Sequence, residues 1–256
     1  MTTFYLGAHH PHWLHVAGVP LFVSHRRLAG RRSFPRAAAP WALDSGGYTE
    51  LAMYGAWRTT TAQYAAAVRR YRDEIGHLDW AAPMDWVCTP PALAATGLSV
   101  AEHQRRTLTE FLRLRDHAPE LDVIPALQGW HTNDFLRHAD TYRRAGVDLA
   151  GYPVVGVGSV ARRQHTPAAA QIFADLAAET GLALHGFGVK LAGLLAYGHH
   201  VVSADSMAWS ATGRYLPGCA VGHRTEANCL RFALAYRADL LARLAHAVRP
   251  TGAVTQ

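Results

Sequence analysis

The chain is nowhere apolar for long. No run of about 18 apolar residues occurs, so no transmembrane helix is expected. The apolar part of residues 1–7 is too short for a signal peptide, and His9, His10 and Pro11 interrupt it. Cysteine is scarce. Three residues, an odd number spread over the chain, argue against a disulfide framework and fit a reducing cytoplasm. Charged residues are sparse at 17% against 50% hydrophobic, which excludes a solvated, disordered chain and implies a compact core. No linker, low-complexity block or repeat divides the 256 residues, so one large domain over 1–248 is expected, followed by a disordered tail at 249–256. Acidic groups are outnumbered. The formal net charge is +6, carried by arginine far more than by lysine, and favours an acidic partner, nucleic acid being the commonest.

Short apolar runs alternate with helix-compatible segments. Strands are expected at 4–7, 20–24, 41–44, 78–85, 121–127, 153–155, 182–185 and 201–205. Amphipathic helices are expected at 61–74, 99–117, 132–145, 167–180 and 191–197, with a long last helix at 225–248. Ser99 and Glu102 have the spacing of a capping box. Alternation of this kind implies a parallel sheet, and eight strands favour a (β/α)8 TIM-type barrel with a long C-terminal helix over an open sheet.

The chemistry-bearing residues sit at strand ends, where such barrels keep their sites. Asp44, Asp85, Gln128, Gly156 with Gly158, His185 with Gly188, and Asp205 mark six ends. A carboxylate at the end of a buried strand is costly unless paired or used. Asp44 leads into Ser45, Gly46 and Gly47, whose glycines let a ligand approach the backbone; an ordinary helix cap is the plainer alternative. Three aspartates and a glutamine at one barrel mouth suit acid/base or nucleophilic work. Gln128 and Asp85 can offer donors and acceptors to a heterocycle edge, and Trp86, Trp130 or Tyr48 can stack on its face. Metal hydrolysis fits less well, because no H-x-H pair lies on a strand. His9, His10, His12 and His15 lack a neighbouring acid or cysteine and read as pocket-rim histidines. Arg26, Arg27, Arg31, Arg32 and Arg36 form a basic loop suited to phosphate contact, or a merely solvated one.

Five segments, in order, resemble the tRNA-guanine transglycosylase superfamily. Asp44-Ser45-Gly46-Gly47-Tyr48 resembles its D-S-G-G-[FY] motif. Met84 to Pro90 is similar to its D-E-C-T-P segment, and Gln128-Gly129 to its Q-G-G. Gly156 to Val160 resembles its glycine-rich loop, and Ser203 to Ser206 the segment bearing its nucleophilic aspartate. The style of these segments is closest to the short deazapurine DNA-modification transglycosylases. The resemblance implies an enzyme that exchanges guanine for a 7-deazaguanine (preQ0-like) base. Asp205 would attack the sugar C1′, Asp44 would take the proton of the incoming base, and Ser45, Gly46, Asp85, Gln128, Gly156, Gly158 and His185 would hold the base. The implied substrate is DNA rather than tRNA, and a partner protein could supply specificity. No cofactor is needed for this chemistry.

The departures are specific. One extra residue precedes Cys88, so either Asp85 or Trp86 could fill the base-contacting position. Cys88 itself reads as a packed residue. The superfamily's C-x-C-x2-C…H zinc site is missing; Cys219, His223 and Cys229, with Glu226 as a fourth, leave a structural zinc open. The same exchange on tRNA or a free nucleoside, and a non-catalytic barrel binding nucleic acid through its arginine loop, remain as alternatives.

Overall fold

A computed structural model describes residues 2–220 and 222–248, so the tail expected at 249–256 lies outside the described residues. In chain order the elements are β1 (Thr3–Ala8), α1 (Trp13–Val16), β2 (Leu21–Ser24), α2 (His25–Leu28), β3 (Trp41–Asp44), α3 (Gly47–Tyr54), α4 (Thr61–Ile75) and β4 (Leu78–Ala81). Then come α5 (Pro90–Thr96), α6 (Val100–His117), β5 (Ala126–Leu127), α7 (Thr132–Arg144), β6 (Val155–Val157) and α8 (Pro167–Thr180). The chain continues through β7 (Leu184–Gly186), α9 (Leu191–Tyr197), β8 (Ser203–Ser206), α10 (Ala208–Gly213) and the long α11 (Leu230–Val248).

All eight strands are parallel, in the order β4-β3-β2-β1-β8-β7-β6-β5. The two ends of this sheet meet. Ala81 pairs with Val123 just before β5, where Ala81 N donates to Asp122 O at 2.8 Å and Ile124 N donates to Ala81 O at 3.1 Å. The expected TIM-type barrel is thus present.

Strand periodicity explains the layers. Phe4, Leu6, Leu21, Val23, Trp41 and Leu43 face outward into one continuous core against the helices. The alternate residues Tyr5, Phe22, Ala42 and Trp80 face inward with Ile124 and Val154. Trp80 and its neighbours fill the barrel interior as a packed plug, and burying each such side chain is worth about 1.5–3 kcal/mol. The same register carries function. Asp44 lies two residues beyond Ala42, Gln128 two beyond Ala126 and Gly158 two beyond Gly156, while Asp205 pairs with Tyr5. All four positions therefore point inward at the C-terminal mouth, above the plug.

Several expected boundaries shift. Gly156 and Asp205 lie within β6 and β8 rather than at or beyond their ends. The segment 121–127 forms only a two-residue strand after the Val123 bridge, because Pro125 cannot donate to a ladder. Only half the capping box forms at Ser99, which accepts from Glu102 N at 3.2 Å; the Glu102 carboxylate turns instead to Arg105 and Arg106. The last helix begins at Leu230, after a single 3-10 turn at Glu226–Asn228.

Candidate active site at the barrel mouth

A cavity of about 720 Å³ opens above the plug, and Asp44, Asp85, Gly158 and Asp205 line it. Each carboxylate is held differently. Asp205 Oδ1 accepts from Gly188 N at 2.9 Å and lies 3.3 Å from His185 Nε2. Gly188 has φ +68, so this donor depends on a backbone turn that a side chain would strain. Asp205 Oδ2 has no hydrogen-bond partner among the described residues. His185 Nδ1 is 2.8 Å from Ser203 Oγ, and the ring is fully buried. His185 thus stands behind Asp205, within reach of its Oδ1.

Asp44 Oδ1 accepts from Gly46 N at 3.0 Å, and Gly46 takes the left-handed φ +84 that the D-S-G-G turn demands. Burial lifts the Asp44 carboxyl above its ordinary range, and the charge of Asp205 pushes the same way. Hydrogen bonds from the Gly46 amide and the Ser24 hydroxyl pull it back. Ser45 is buried and bonds to Asp85 Oδ1 at 3.1 Å, so it supports a neighbour rather than facing the cavity.

Asp85, not Trp86, lines the cavity. Trp86 packs on His103 and under the Arg106 guanidinium. Gln128 Nε2 donates to Asp85 Oδ2, and Gln128 Oε1 accepts from Ser159 Oγ at 2.6 Å. Gly158 gives this amide room: a Cβ there would sit 2.1 Å from Gln128 Nε2. The expected glycine loop is therefore a slot for a side chain, and its glycines donate no hydrogen bond toward the cavity. Gly156 lies under the Phe187 ring, where a Cβ would meet it at 2.3 Å. Burial and then the Asp44 charge push the Asp85 carboxyl up to about 7.

The sign of that shift has a consequence. Between about pH 4 and 7 the folded state holds a proton that the unfolded chain releases, so folding stability falls as pH rises through this window. Asp85→Asn is expected to raise Tm at pH 8 and to lose that advantage below pH 4. An equal gain at both pH values would contradict the assignment.

Ser159 is not conspicuous in the sequence. It is a non-glycine residue at φ +60, a conformation costing about 1–2 kcal/mol, and its hydroxyl bridges two segments. Cys88 N donates to Ser159 Oγ at 2.7 Å, which obliges that hydroxyl to donate to Gln128 Oε1 and turns Nε2 toward Asp85. Ser159→Gly is expected to hold or raise Tm while lowering kcat/KM about 5- to 30-fold, the effect of leaving Gln128 without its donor. Unchanged kcat/KM would remove Ser159 from the site.

The arginine loop divides. It starts at the rim with α2 and descends the flank to the foot of β3, so only its first turn reaches the mouth. Arg26 and Arg27 line the cavity, Arg26 paired with the buried Glu50 at 2.7 Å. Arg31 and Arg32 lie on the flank, where their carbonyls accept from Arg70, and Arg36 braces the end of α4. His9 also lines the cavity, its pKa lowered to about 4, first by burial and then by Arg27. Burial pushes the Cys88 thiol well up, as suits a packed residue. Tyr48, Trp130, Phe22 and Phe187 supply aromatic wall.

Among the described residues, Cys219, His223 and Cys229 form the one group whose donor atoms converge, all within 4.8 Å. Cys219 Sγ is 3.5 Å from Cys229 Sγ and 3.6 Å from His223 Nδ1. A tetrahedral zinc with bonds of about 2.0–2.3 Å spaces its ligands by roughly that much. Glu226 Oε2 is buried without a hydrogen-bond partner, and its carboxyl interacts with both cysteines. These three donors are of a kind and spacing that could hold a zinc.

A family model described as DpdA, deoxypurine in DNA protein A, matches residues 1–256. The chain belongs to the DpdA family. The resemblance read from Asp44 to Ser206 to the short DNA-modification transglycosylases is thereby borne out. No curated protein matches the chain. Among solved structures, the carboxyl transferase domain of Rhizobium etli pyruvate carboxylase with pyruvate matches at 14% identity and TM-score 0.44, covering 100% of this chain and 50% of that one. The same domain with 3-hydroxypyruvate matches at 16% identity and TM-score 0.40, over 80% and 35% of the two chains. This DpdA-family chain thus spans half or less of those proteins, and likenesses so remote say nothing of its chemistry. No described helix is long and apolar enough to cross a membrane.

Proposed function

We propose that this DpdA-family chain replaces guanine in DNA with a 7-deazaguanine base through a covalent glycosyl-Asp205 intermediate. The observation that carries the reading is Asp205 itself. One of its oxygens is fixed by Gly188 N and the other is unpartnered, in a cavity shared with Asp44.

In the first half of the reaction Asp205 Oδ2 bonds to C1′ while the C1′–N9 bond breaks. The electron pair leaves with guanine, which takes a proton from Asp44. The raised pKa of Asp44 supports its holding that proton. In the second half Asp44 recovers a proton from N9 of the incoming base, whose nitrogen attacks C1′ and returns the pair to Asp205. Asp85 and the Nε2 end of Gln128 read the ring edge, and Tyr48 or Trp130 covers its face. Substrate donors favour the ionised form of Asp85, so base binding offsets the cost of its burial. The nucleotide must leave its stack to enter the cavity.

Cys219, His223, Cys229 and Glu226 would hold a structural zinc that ties the segment after α10 to the start of α11. Elemental analysis of the purified chain is expected to find about one zinc per chain, lost together with several degrees of Tm in Cys229→Ser. A metal-free wild type of equal Tm would remove it. The function is tested by following labelled guanine into DNA with wild type and Asp205→Asn: label is expected to enter DNA with wild type only.

A further inference from the structure

The loop after β6 carries two consecutive arginines that the exchange chemistry leaves unused. The Arg163 guanidinium lies 4.1 Å from the Trp130 ring centroid, and that of Arg162 lies 5.3 Å from the Tyr48 centroid. All four residues line the cavity. Arg163 is half-buried, yet no carboxylate lies within 4.0 Å of it among the described residues. Of its guanidinium N–H groups only Nε has an acceptor, Ser159 O at 3.3 Å, and Nη2 is shut from solvent without one. By contrast, Glu50 neutralises Arg26 and Arg58 nearby. A partly desolvated cation that feels Asp134 only at a distance, set over an aromatic ring at a cavity wall, is built to meet an anion.

The loop also sits beside the reacting carboxylate. Ala161 packs so closely on Gly188 that a Cβ at Gly188 would approach it to 2.5 Å, and Gly188 N is the donor that holds Asp205. An anion at Arg163 would therefore lie within one nucleotide of the sugar attacked by Asp205.

We propose that Arg162 and Arg163, each laid on an aromatic ring, clamp the phosphodiester next to the exchanging nucleotide. The clamp rests on the proposed function for its ligand, and its own evidence is a buried guanidinium nitrogen without an acceptor and no carboxylate in contact. It explains how a cavity with three carboxylates can accept a polyanionic strand. Arg162 and Arg163 supply the positive charge beside a phosphodiester that Asp44, Asp85 and Asp205, themselves acids, cannot offer.

The test measures binding, by fluorescence anisotropy, of the full chain to a single-stranded oligodeoxynucleotide containing one guanine. Each phosphate around that guanine is replaced in turn by a neutral methylphosphonate. With wild type, one or two adjacent replacements are expected to weaken binding about 10-fold and the rest to have little effect. With Arg163→Gln those same replacements should cost nothing further. Arg162→Gln, on an exposed side chain, gives a second cycle that does not depend on the packing of Arg163. Each variant should lower the salt slope of binding by about 0.7, the value for one single-strand phosphate. Additive losses in both cycles, or unchanged slopes, would overturn the clamp. So would protection of wild type by inorganic phosphate at micromolar levels with additive cycles, which assigns the site to a small anion. Coupling at one phosphate in a chain that exchanges no base on any nucleic acid would uphold the clamp and sink the proposed reaction, so the two failures are distinguishable.

Discussion

Asp205→Asn is expected to lose base exchange by at least roughly 10⁴-fold, because the amide cannot supply the electron pair that forms the glycosyl bond. The fold should survive. Asparagine keeps the Oδ1 acceptor that Gly188 N and His185 address, so Tm should stay close to wild type. A denaturing gel separates the chemical role from a structural one. Wild type incubated with a guanine-containing strand is expected to give a band carrying both protein and DNA, and Asp205→Asn none. An adduct of equal yield in the variant would place the nucleophile elsewhere. Two other candidates are poor substitutes, since Cys88 is fully buried with its thiol pushed far up and Asp85 is tied to Ser45 and Gln128.

Asp44→Asn is expected to slow exchange by about 10²–10⁴-fold, the usual weight of a positioned proton donor and acceptor. The loss should depend on the leaving group. N7-methylguanine departs as a neutral base and needs no proton, so the variant should release it from DNA far more nearly at the wild-type rate than it releases guanine. Equal losses on both bases would reduce Asp44 to a helix cap, the role its Gly46 contact alone could support. Because burial and the Asp205 charge both raise the Asp44 carboxyl, its protonated form persists to higher pH than in a free side chain. Guanine release by wild type should therefore weaken as pH rises through that titration, while release by Asp44→Asn should lack this limb.

Much of this site is legible in the sequence because strand periodicity is rigid. An acid at the end of a buried strand must face either the helices or the mouth, and the helices offer no partner for it. Asp44, Gln128 and Asp205 stand out in that way; Asp85, expected at the end of a strand over 78–85, instead lies in the loop after β4, which stops at Ala81. What stayed hidden depends on dihedral angles and on pairs distant in the chain. Ser159 looks like an ordinary residue after a glycine. Its role exists only because φ +60 swings its hydroxyl between Cys88 and Gln128, 71 and 31 residues away. Gly158 was visible as a glycine, but the reason for it, a slot for the Gln128 amide, was not. His185 is legible as a strand-end residue, but its contacts to Ser203 and Asp205 are pairs distant in the chain. Charge clustering along the chain misled in the other direction. The arginines of 26–36 are close in sequence but descend the barrel's flank, and only Arg26 and Arg27 share the cavity with Arg162 and Arg163.

The most direct measurement of the central claim uses only the purified chain, labelled guanine and three acceptors: an oligodeoxynucleotide, a tRNA and free deoxyguanosine. Guanine-for-guanine exchange needs no knowledge of the natural deazaguanine. The expected result is label entering the oligodeoxynucleotide, with none entering tRNA or the nucleoside and none with Asp205→Asn. Label in tRNA or deoxyguanosine but not in DNA, or label in DNA that persists undiminished with Asp205→Asn, would contradict it.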